Sequence, residues 1–338
     1  MNVLVTGGLG VVGRPVVARL LQHGHMVRVL DRLPQCDIAG VNYLSGDITD
    51  METLRLAVRG QQAVIHLAAI PIPSQGSGPQ IFHTNGSGTF NVYAAAAEEG
   101  IRRVVCASSI NFLGYYYGVR ESPFQYFPVD EEHPNFTSDA YSFSKDIVEQ
   151  IAAYYWRRDR ITSLCLRLPA VLPPESERFK MYRQFFSGTL QVVSEMGRLP
   201  EPDRLKRYQQ LTELWQNVRS QRALQKPFQD WPDLGLDAQH VDMRLMMSRA
   251  NLWAAIHAED AAQAFEKAML AEVEGCHPLF VNHDQNWLGF ESELLAQWFF
   301  PEVKQRKHLL AGAQSLVSAE RAHQLIGFTP EYSLQGLL

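Results

Sequence analysis

The sequence predicts an α/β protein built on a doubly wound parallel sheet, and two observations carry this prediction. In the first half of the chain, short apolar runs alternate with helical patterns. These runs are continuous in Val, Ile and Leu, which suits strands that are covered on both faces. Strands that alternate with helices indicate repeated β-α-β units, and such units build a parallel sheet with helices on both sides.

Each expected element follows from the residues in chain order. Strand-like runs lie at residues 3–6, 26–31, 41–47, 63–69, 103–109 and 162–168. Between them, helical patterns begin near Gly13, Asp50, Gln80 and Tyr141. In the second half, the pattern predicts helices within 203–219, from Glu259 and over 291–299, a loop over 225–237 and a strand over 278–282.

The alternation of strands and helices ends after Pro169 and charged, Gln-rich helical sequence follows, which sets the expected domain boundary. Residues 1–172 form the first domain in this prediction, and residues 173–338 form a second region with some segments returning to the first. A helical insertion over about 175–250 is expected to be a lid or an oligomer contact. Within it, packing explains the methionine-rich run 243–248 better than a cofactor contact does.

Charge and composition exclude several classes of partner. The formal net charge of −5 argues against general electrostatic binding to nucleic acid or to an anionic membrane. No apolar run reaches the roughly 18 residues of a membrane-spanning helix. The first residues enter a strand at once, without the pattern of a signal peptide. A cytoplasmic protein is therefore expected.

The cysteines and histidines predict neither a disulfide framework nor a metal site. No CxxC pair occurs among Cys36, Cys106, Cys165 and Cys276. Scattered cysteines of this kind indicate buried, inert thiols in a reducing compartment. No metal-ligand spacing occurs among His240, His257, His277 and His283.

A glycine-rich loop directly after the first strand predicts a dinucleotide site. Gly7 allows a tight turn, Gly10 lets backbone amides approach a pyrophosphate, and Gly13 lets the following helix pack close to the strand. Asp31 ends the next strand, where a carboxylate accepts hydrogen bonds from a ribose 2′-hydroxyl and repels a 2′-phosphate. This favours NAD over NADP, although the neighbouring Arg32 could hold a 2′-phosphate.

Tyr141 and Lys145 are the candidate catalytic pair. They are four residues apart on an expected helix, so their side chains share a face. A phenol has an ordinary pKa near 10 and is a poor base at neutral pH. A neighbouring cation favours the phenolate, so we expect Lys145 to lower the pKa of Tyr141.

Six motifs in order give the chain its resemblance to a known family: TGGLGVVG, GDITD, HLAA, NGSGTFNV, ASS and YSFSK. It resembles the extended short-chain dehydrogenase/reductases, which form the NAD-dependent epimerase/dehydratase superfamily. The resemblance covers about the first 170 residues closely and the last third more loosely. It implies a Rossmann-type fold, NAD as cofactor, a small-molecule substrate and a homodimer formed through helices at 80–98 and 141–156.

The resemblance also implies roles for individual residues. Tyr141 would exchange a proton with the substrate, Lys145 would tune Tyr141 and bind the nicotinamide ribose, and Ser109 would steady the substrate oxygen. Ser108 would be structural, in contact with backbone or cofactor. Asn85 would brace the site, and the backbone around Pro169 and Val171 would meet the nicotinamide carboxamide. The remaining expected cofactor residues are Gly7, Gly10, Val11, Val12, Gly13, Asp31, Arg32, Asp47, Ile48, Leu67, Ala68 and Ala69, with Asp47 and Ile48 beside the adenine.

The residues directly after Ser108 and Ser109 reduce the number of reactions that the resemblance allows. Sugar 4,6-dehydratases of the superfamily carry an Asp-Glu pair there, whereas this chain has Ile110, Asn111 and Phe112, which disfavours dehydration. Nucleotide-sugar epimerases and uronate dehydrogenases remain, and ASSINFLGYY is similar to the uronate dehydrogenase segment with Asn111 offset by one residue. A diphosphate would need cations, and the candidates are Arg178, Lys180, Arg183 and Arg244. The alternative is a catalytically silent NAD-binding sensor or scaffold.

Overall fold

The computed structural model describes residues 1–174, 176, 179–180, 183, 188–224 and 241–335. Its strands are β1 (Asn2–Thr6), β2 (Met26–Asp31), β3 (Asn42–Ser45), β4 (Ala63–His66), β5 (Arg103–Ser109), β6 (Tyr126–Phe127), β7 (Thr162–Leu168), β8 (Ala170–Leu172), β9 (Ala255–His257), β10 (Cys276–Phe280) and β11 (Gln305–Arg306). Seven of them form one sheet in the order β3-β2-β1-β4-β5-β7-β10. Every pairing in that sheet is parallel, so the predicted Rossmann-type fold is confirmed.

The described helices pack on the two faces of this sheet or in a second core beside it. They are α1 (Gly13–Gln22), α2 (Met51–Val58), α3 (Gly78–Phe82), α4 (Gly88–Glu99), α5 (Ala140–Asp159), α6 (Thr189–Arg198), α7 (Glu201–Leu224), α8 (Val241–Ala250), α9 (Ala258–Leu270), α10 (Ser292–Phe299) and α11 (Glu320–Ile326). The helices that begin near residues 13, 50, 80 and 141 therefore form as predicted.

Alternation along the strands divides the core into two layers. In β1, Val3 and Val5 face the layer that contains α1 and α9. Leu4 faces the opposite layer, where α2, α4 and α5 supply buried partners such as Tyr93 and Tyr155. Continuous apolar strands are thus buried on both faces, as the sequence pattern indicated.

Several strand ends differ from the prediction. The run 63–69 leaves the sheet after His66, and the predicted strand at 278–282 occupies Cys276–Phe280. The run 41–47 is reduced to Asn42–Ser45. Just beyond β4, the Leu67 amide still donates to the Thr6 carbonyl at 3.0 Å, and Leu67, Ala68 and Ala69 form part of the wall of a cleft.

The helices of the 175–250 segment contribute to a second core, beside the main sheet. Trp215 of α7, Met246 of α8 and Trp253 are fully buried in it. The methionine-rich run is therefore packing, as predicted. The apolar residues of the helix predicted within 203–219 are buried only in its later part. Leu205 is 50% exposed, whereas Leu211 and Val218 are buried. The predicted loop at 225–237 lies outside the described residues, as do Arg178 and His240.

The cysteines are less scattered in space than in sequence. All four are free, and the Sγ atoms of Cys106 and Cys165 are 3.3 Å apart on neighbouring strands. Cys36 and Cys276 are partly exposed, so the prediction of four buried thiols is wrong for these two. Among the described residues, no helix is both long enough and apolar enough to span a bilayer.

Candidate active site

The glycine loop lies at the carboxyl end of β1, where it turns sharply into α1. Gly7 has a φ of +71°, and a Cβ there would lie 2.7 Å from the backbone nitrogen of Ala68. A Cβ on Gly13 would collide with the carbonyl oxygen of Gly7. Gly10 is exposed and faces more open space. No side chain caps the start of α1, so the helix N-terminus is arranged to receive a phosphate.

A cavity of about 340 Å³ extends from this loop along the carboxyl ends of the strands. The predicted cofactor residues that line it are Gly7, Gly10, Val11, Val12, Gly13, Asp31, Arg32, Asp47, Ile48, Leu67, Ala68 and Ala69. Sequence reasoning missed other residues of the wall: Leu9, Leu30, Leu33, Gly46, Pro71 and Thr84. Most of these residues are next to a predicted residue in the chain, so their position in the sequence could have indicated them. The cavity therefore lies where the sequence predicts the dinucleotide.

Asp31 is held against the glycine loop. One carboxylate oxygen accepts a hydrogen bond from the Leu9 amide at 3.1 Å, and the other accepts one from the Leu33 amide at 3.4 Å. The side chain is only partly exposed, while Arg32 beside it is exposed. The carboxylate thus belongs to the cavity wall next to the loop, at the position expected to bind a ribose hydroxyl.

The first turns of α5 place Tyr141 and Lys145. Asp139 caps the helix by accepting a hydrogen bond from the Ser142 amide at 2.8 Å. Lys145 is 5% exposed and donates from Nζ to the carbonyl oxygen of Ala107 at 2.9 Å. Its Nζ lies 5.8 Å from the centre of the Tyr141 ring. The helix spacing therefore brings the pair together as predicted.

The expected effect of Lys145 on Tyr141 is not found. Burial raises the pKa of Tyr141 to about 12, and the interaction with the Ser109 hydroxyl offsets this only in part. Burial also lowers the pKa of Lys145 to about 8, against the opposing effects of Cys106 and Glu149. The prediction that Lys145 lowers the phenol pKa is wrong for this structure, because desolvation of the phenolate outweighs the other contributions.

Ser109 ends β5 and lies beside the catalytic helix. Its Oγ accepts hydrogen bonds from the amide and the side-chain nitrogen of Asn111, at 3.1 Å and 3.4 Å. Asn111 Oδ1 is buried and has no hydrogen-bond partner within the described part of the chain. An unmatched acceptor therefore lies next to the predicted catalytic serine.

Ser108 is buried beneath the site and joins β5 to α5. Its hydroxyl donates to a carboxylate oxygen of Glu149 at 2.7 Å, and the residue is only 3% exposed. This contact is structural, as expected for Ser108, although the partner is a side chain and not backbone; the cofactor contact stays a prediction. Glu149 also forms two hydrogen bonds with Arg167, which sequence reasoning missed because the two residues are far apart in the chain.

Asn85 joins the loop after β4 to the catalytic helix. Its side-chain amide hydrogen-bonds both backbone groups of Ile70, at 2.7 Å and 3.1 Å, and the hydroxyl of Ser144 at 3.0 Å. Pro169 and Val171 follow β7, whose last residue, Leu168, is in register with Ser109. They lie near the catalytic end of the sheet but do not line the 340 Å³ cavity.

His66 is a residue of the site that was not predicted. It bridges two threonine hydroxyls, with Thr6 at 2.7 Å and Thr89 at 2.9 Å. Burial, and then the positive charge of Lys145, lower the pKa of His66 to about 3. The imidazole is therefore neutral at physiological pH, and it lines a small crevice together with Lys145. Its position at the end of a strand was the only signal in the sequence.

Of the four candidate phosphate-binding cations, the structure describes Lys180, Arg183 and Arg244. Arg183 and Lys180 are exposed, and Lys180 and Arg244 have interactions of their own within the protein.

Comparisons with known proteins identify the family of the chain. The model of the NAD dependent epimerase/dehydratase family matches residues 3–202. The chain is 27% identical over 195 residues to a uronate dehydrogenase of Pseudomonas putida, which covers 57% of this chain and 69% of that protein. It is 30% identical over 186 residues to an L-arabinose 1-dehydrogenase (NAD(P)(+)) of Haloferax volcanii. That match covers 53% of this chain and 71% of the relative.

A solved structure with a similar fold is a short-chain dehydrogenase/reductase superfamily protein from Agrobacterium tumefaciens with bound NAD. Its TM-score is 0.63 at 20% identity, covering 100% of this chain and 95% of that one. This likeness supports the fold, while the family match extends over more than half of the chain. The predicted superfamily is confirmed, and the protein belongs to the NAD dependent epimerase/dehydratase family.

Proposed function

We propose that the protein is an NAD-dependent oxidoreductase that transfers a hydride at a secondary alcohol or ketone of a sugar or nucleotide sugar. In this proposal, residues 1–172 hold the cofactor and catalytic groups, and residues 173–338 contribute the substrate-binding region. The observation that supports it is the meeting of Ser109, Tyr141 and Lys145 next to the cleft that begins at the glycine loop. The sugar is supported by relatives named uronate dehydrogenase and L-arabinose 1-dehydrogenase.

The side chains divide the chemistry between them. NAD, when bound, supplies the hydride acceptor or donor. Tyr141 moves a proton to or from the substrate oxygen, and its raised pKa keeps the phenol protonated and ready to donate at neutral pH. Ser109 holds the substrate oxygen. Lys145, with a pKa of about 8, is mostly protonated at pH 7 and places a positive charge beside the phenol.

The surroundings of Ser109 favour a dehydrogenase or an epimerase over a dehydratase. Residues 110–112 supply no carboxylate for dehydration. Asn111 Oδ1 offers a free acceptor for a hydroxyl of the substrate. The competing hypothesis is a silent NAD-binding sensor, and retention of both Tyr141 and Lys145 argues against it.

The test is a substrate panel with the purified protein. Uronic acids, aldoses and UDP- or GDP-sugars are incubated separately with NAD and with NADP, and both coenzyme reduction and sugar products are measured. Net NADH formation would identify a dehydrogenase, and sugar conversion without net NADH an epimerase. Asp31 leads us to expect faster turnover with NAD than with NADP. Coenzyme binding without any conversion across the panel would contradict the proposal in favour of the sensor.

We also propose a homodimer formed through an aromatic surface on α3, α4 and α5. Phe82 stacks on Phe143 at 5.8 Å, and Phe90 stacks on Tyr154 at 6.1 Å. All four rings are exposed, the least exposed by 39%. A cluster of exposed aromatic side chains on neighbouring helices is typical of an interaction surface.

Sedimentation equilibrium checks the dimer. The wild-type protein is expected to have twice the mass of one chain, and Phe90→Glu is expected to shift it toward the monomer, because a charge would be buried at the interface. Leu309→Glu is the control, since Leu309 is 85% exposed and lies outside the aromatic surface. A monomeric wild-type protein, or equal dissociation in both variants, would contradict this interface.

A further inference from the structure

Three consecutive tyrosines follow the catalytic serine strand, and one of them touches the catalytic tyrosine. We define the tyrosine loop as residues 114–120. Tyr117 meets the Tyr141 ring edge to face, with ring centres 5.5 Å apart. It also packs in the small apolar cluster formed by Ile70, Ile81 and Tyr141. The position of Tyr117 therefore shapes the wall around the proposed acid/base.

The tyrosine loop is held from one side by Arg219 of α7. The Arg219 guanidinium donates to the carbonyl oxygens of Tyr115 at 2.6 Å, Gly118 at 3.2 Å and Arg120 at 2.7 Å. Arg219 is only 4% exposed. These three charge-assisted hydrogen bonds fix the backbone of the loop at three points. They also offset the free-energy cost of burying the Arg219 cation.

The other side of the loop packs against the entry to the catalytic helix. Gly114 has a φ of +85°, and any Cβ there would collide with the Phe136 carbonyl. A Cβ on Gly118 would lie 2.9 Å from the hydroxyl of Ser138. The same hydroxyl accepts a hydrogen bond from the Arg120 amide at 3.2 Å. Because Ser138 directly precedes the helix cap, the loop is clamped between α7 and the start of α5.

We propose that Tyr117 is a specificity-determining residue of the substrate pocket and that Arg219 is the positioning residue that sets it in place. This inference rests on the proposed function, since it assigns the wall beside Tyr141 to the sugar substrate. An aromatic wall suits the apolar C–H face of a sugar ring. Helix α7, which belongs to the segment expected to be a lid or an oligomer contact, then acts on the active site through Arg219.

The first measurement compares Arg219→Gln with Arg249→Gln. Arg249 is a matched control, because it is 5% exposed, comes from α8 and donates to the Phe299 carbonyl and the Tyr208 hydroxyl instead of the tyrosine loop. With the best substrate of the panel, Arg219→Gln is expected to lower kcat/KM by about tenfold to a hundredfold, mainly through KM for the sugar. KM for NAD is expected to stay unchanged, and Arg249→Gln is expected to leave sugar KM near wild type.

The second measurement is a double-mutant cycle with Tyr117→Ala. If Arg219 acts through Tyr117, Arg219→Gln has little further effect on sugar KM once Tyr117 has been truncated. Tyr117→Ala alone should also change the ratio of kcat/KM between a free sugar acid and a nucleotide sugar. Fold-changes that simply multiply, or an unchanged ratio, would overturn the assignment.

Hydrogen exchange separates this inference from the proposed function. Amides of the tyrosine loop are expected to exchange faster in Arg219→Gln and at the wild-type rate in Arg249→Gln. Unchanged protection in Arg219→Gln would overturn its positioning role. A wild-type protein that converts no sugar contradicts the proposed function and the substrate role of Tyr117 with it, while the exchange rates still decide the role of Arg219.

Discussion

Replacing Tyr141 with Phe is expected to lower turnover by about 10²–10⁴-fold, the usual contribution of a positioned acid/base. The substitution removes only the hydroxyl, so the ring still packs against Ile70, Ile81 and Tyr117. Affinity for NAD and thermal stability are therefore expected to stay near wild type. Single-turnover kinetics with the best panel substrate measures turnover, an NAD titration measures affinity, and thermal unfolding measures stability.

Tyr155→Phe is the matched control for this variant. Tyr155 is fully buried on the same helix, about four turns away, and its ring stacks on Tyr93 at 5.3 Å. Its hydroxyl has no hydrogen-bond partner among the residues that the structure describes. Loss of this hydroxyl should leave turnover unchanged. Wild-type turnover in Tyr141→Phe, or an equal loss in the control, would remove Tyr141 from the mechanism.

The cofactor cleft could be predicted from the sequence because its determinants are local. Gly7, Gly10 and Gly13 act within one turn, and Asp31 ends the next strand. Their meeting follows from the adjacency of β1 and β2 in a parallel sheet. Tyr141 and Lys145 were predictable for the same reason, since helix geometry alone places them on one face.

Contacts between distant segments could not be predicted in this way. Arg219 reaches the tyrosine loop across about a hundred residues of chain, and α7 gives no periodic signal that marks one arginine among several. The raised pKa of Tyr141 depends on burial by side chains from three separate segments. Such burial exists only in the folded protein and cannot be read from residue spacing. The spacing of Tyr141 and Lys145 therefore predicts a lowered pKa for Tyr141, whereas burial raises it.

A buried ion pair behind the catalytic residues sets the second large expected effect. Arg167 of β7 forms two hydrogen bonds with Glu149 of α5, at 2.9 Å and 2.8 Å, and Ser108 of β5 donates to the same carboxylate. The side chains of the pair are 3% and 8% exposed. The Arg167 guanidinium lies 3.7 Å from the centre of the Phe112 ring. The two elements that carry Ser109, Tyr141 and Lys145, which are β5 and α5, are thus joined to β7 behind the site.

Breaking this pair from one side should destabilise the fold strongly. Glu149→Gln or Arg167→Met is expected to lower the free energy of unfolding by about 3–5 kcal/mol, because the remaining charge or its hydrogen bonds are left uncompensated in the core. The double variant Glu149→Leu with Arg167→Met should recover much of that loss, since it leaves no buried charge. Urea unfolding with comparison of m-values measures both effects.

An exposed pair supplies the control for this effect. Arg55 and Glu98 approach to 2.8 Å, the same distance as the Arg167–Glu149 contact, but their side chains are 46% and 51% exposed. Solvent screens such a pair, so Glu98→Gln should hardly move the urea midpoint. If Glu149→Gln were as mild as Glu98→Gln, the pair would not be what joins α5 to the sheet. The opposite result is that Glu149→Gln lowers the free energy of unfolding strongly while the double variant restores it. That result would show that the Arg167–Glu149 contact stabilises the fold by compensating buried charge and not by filling volume.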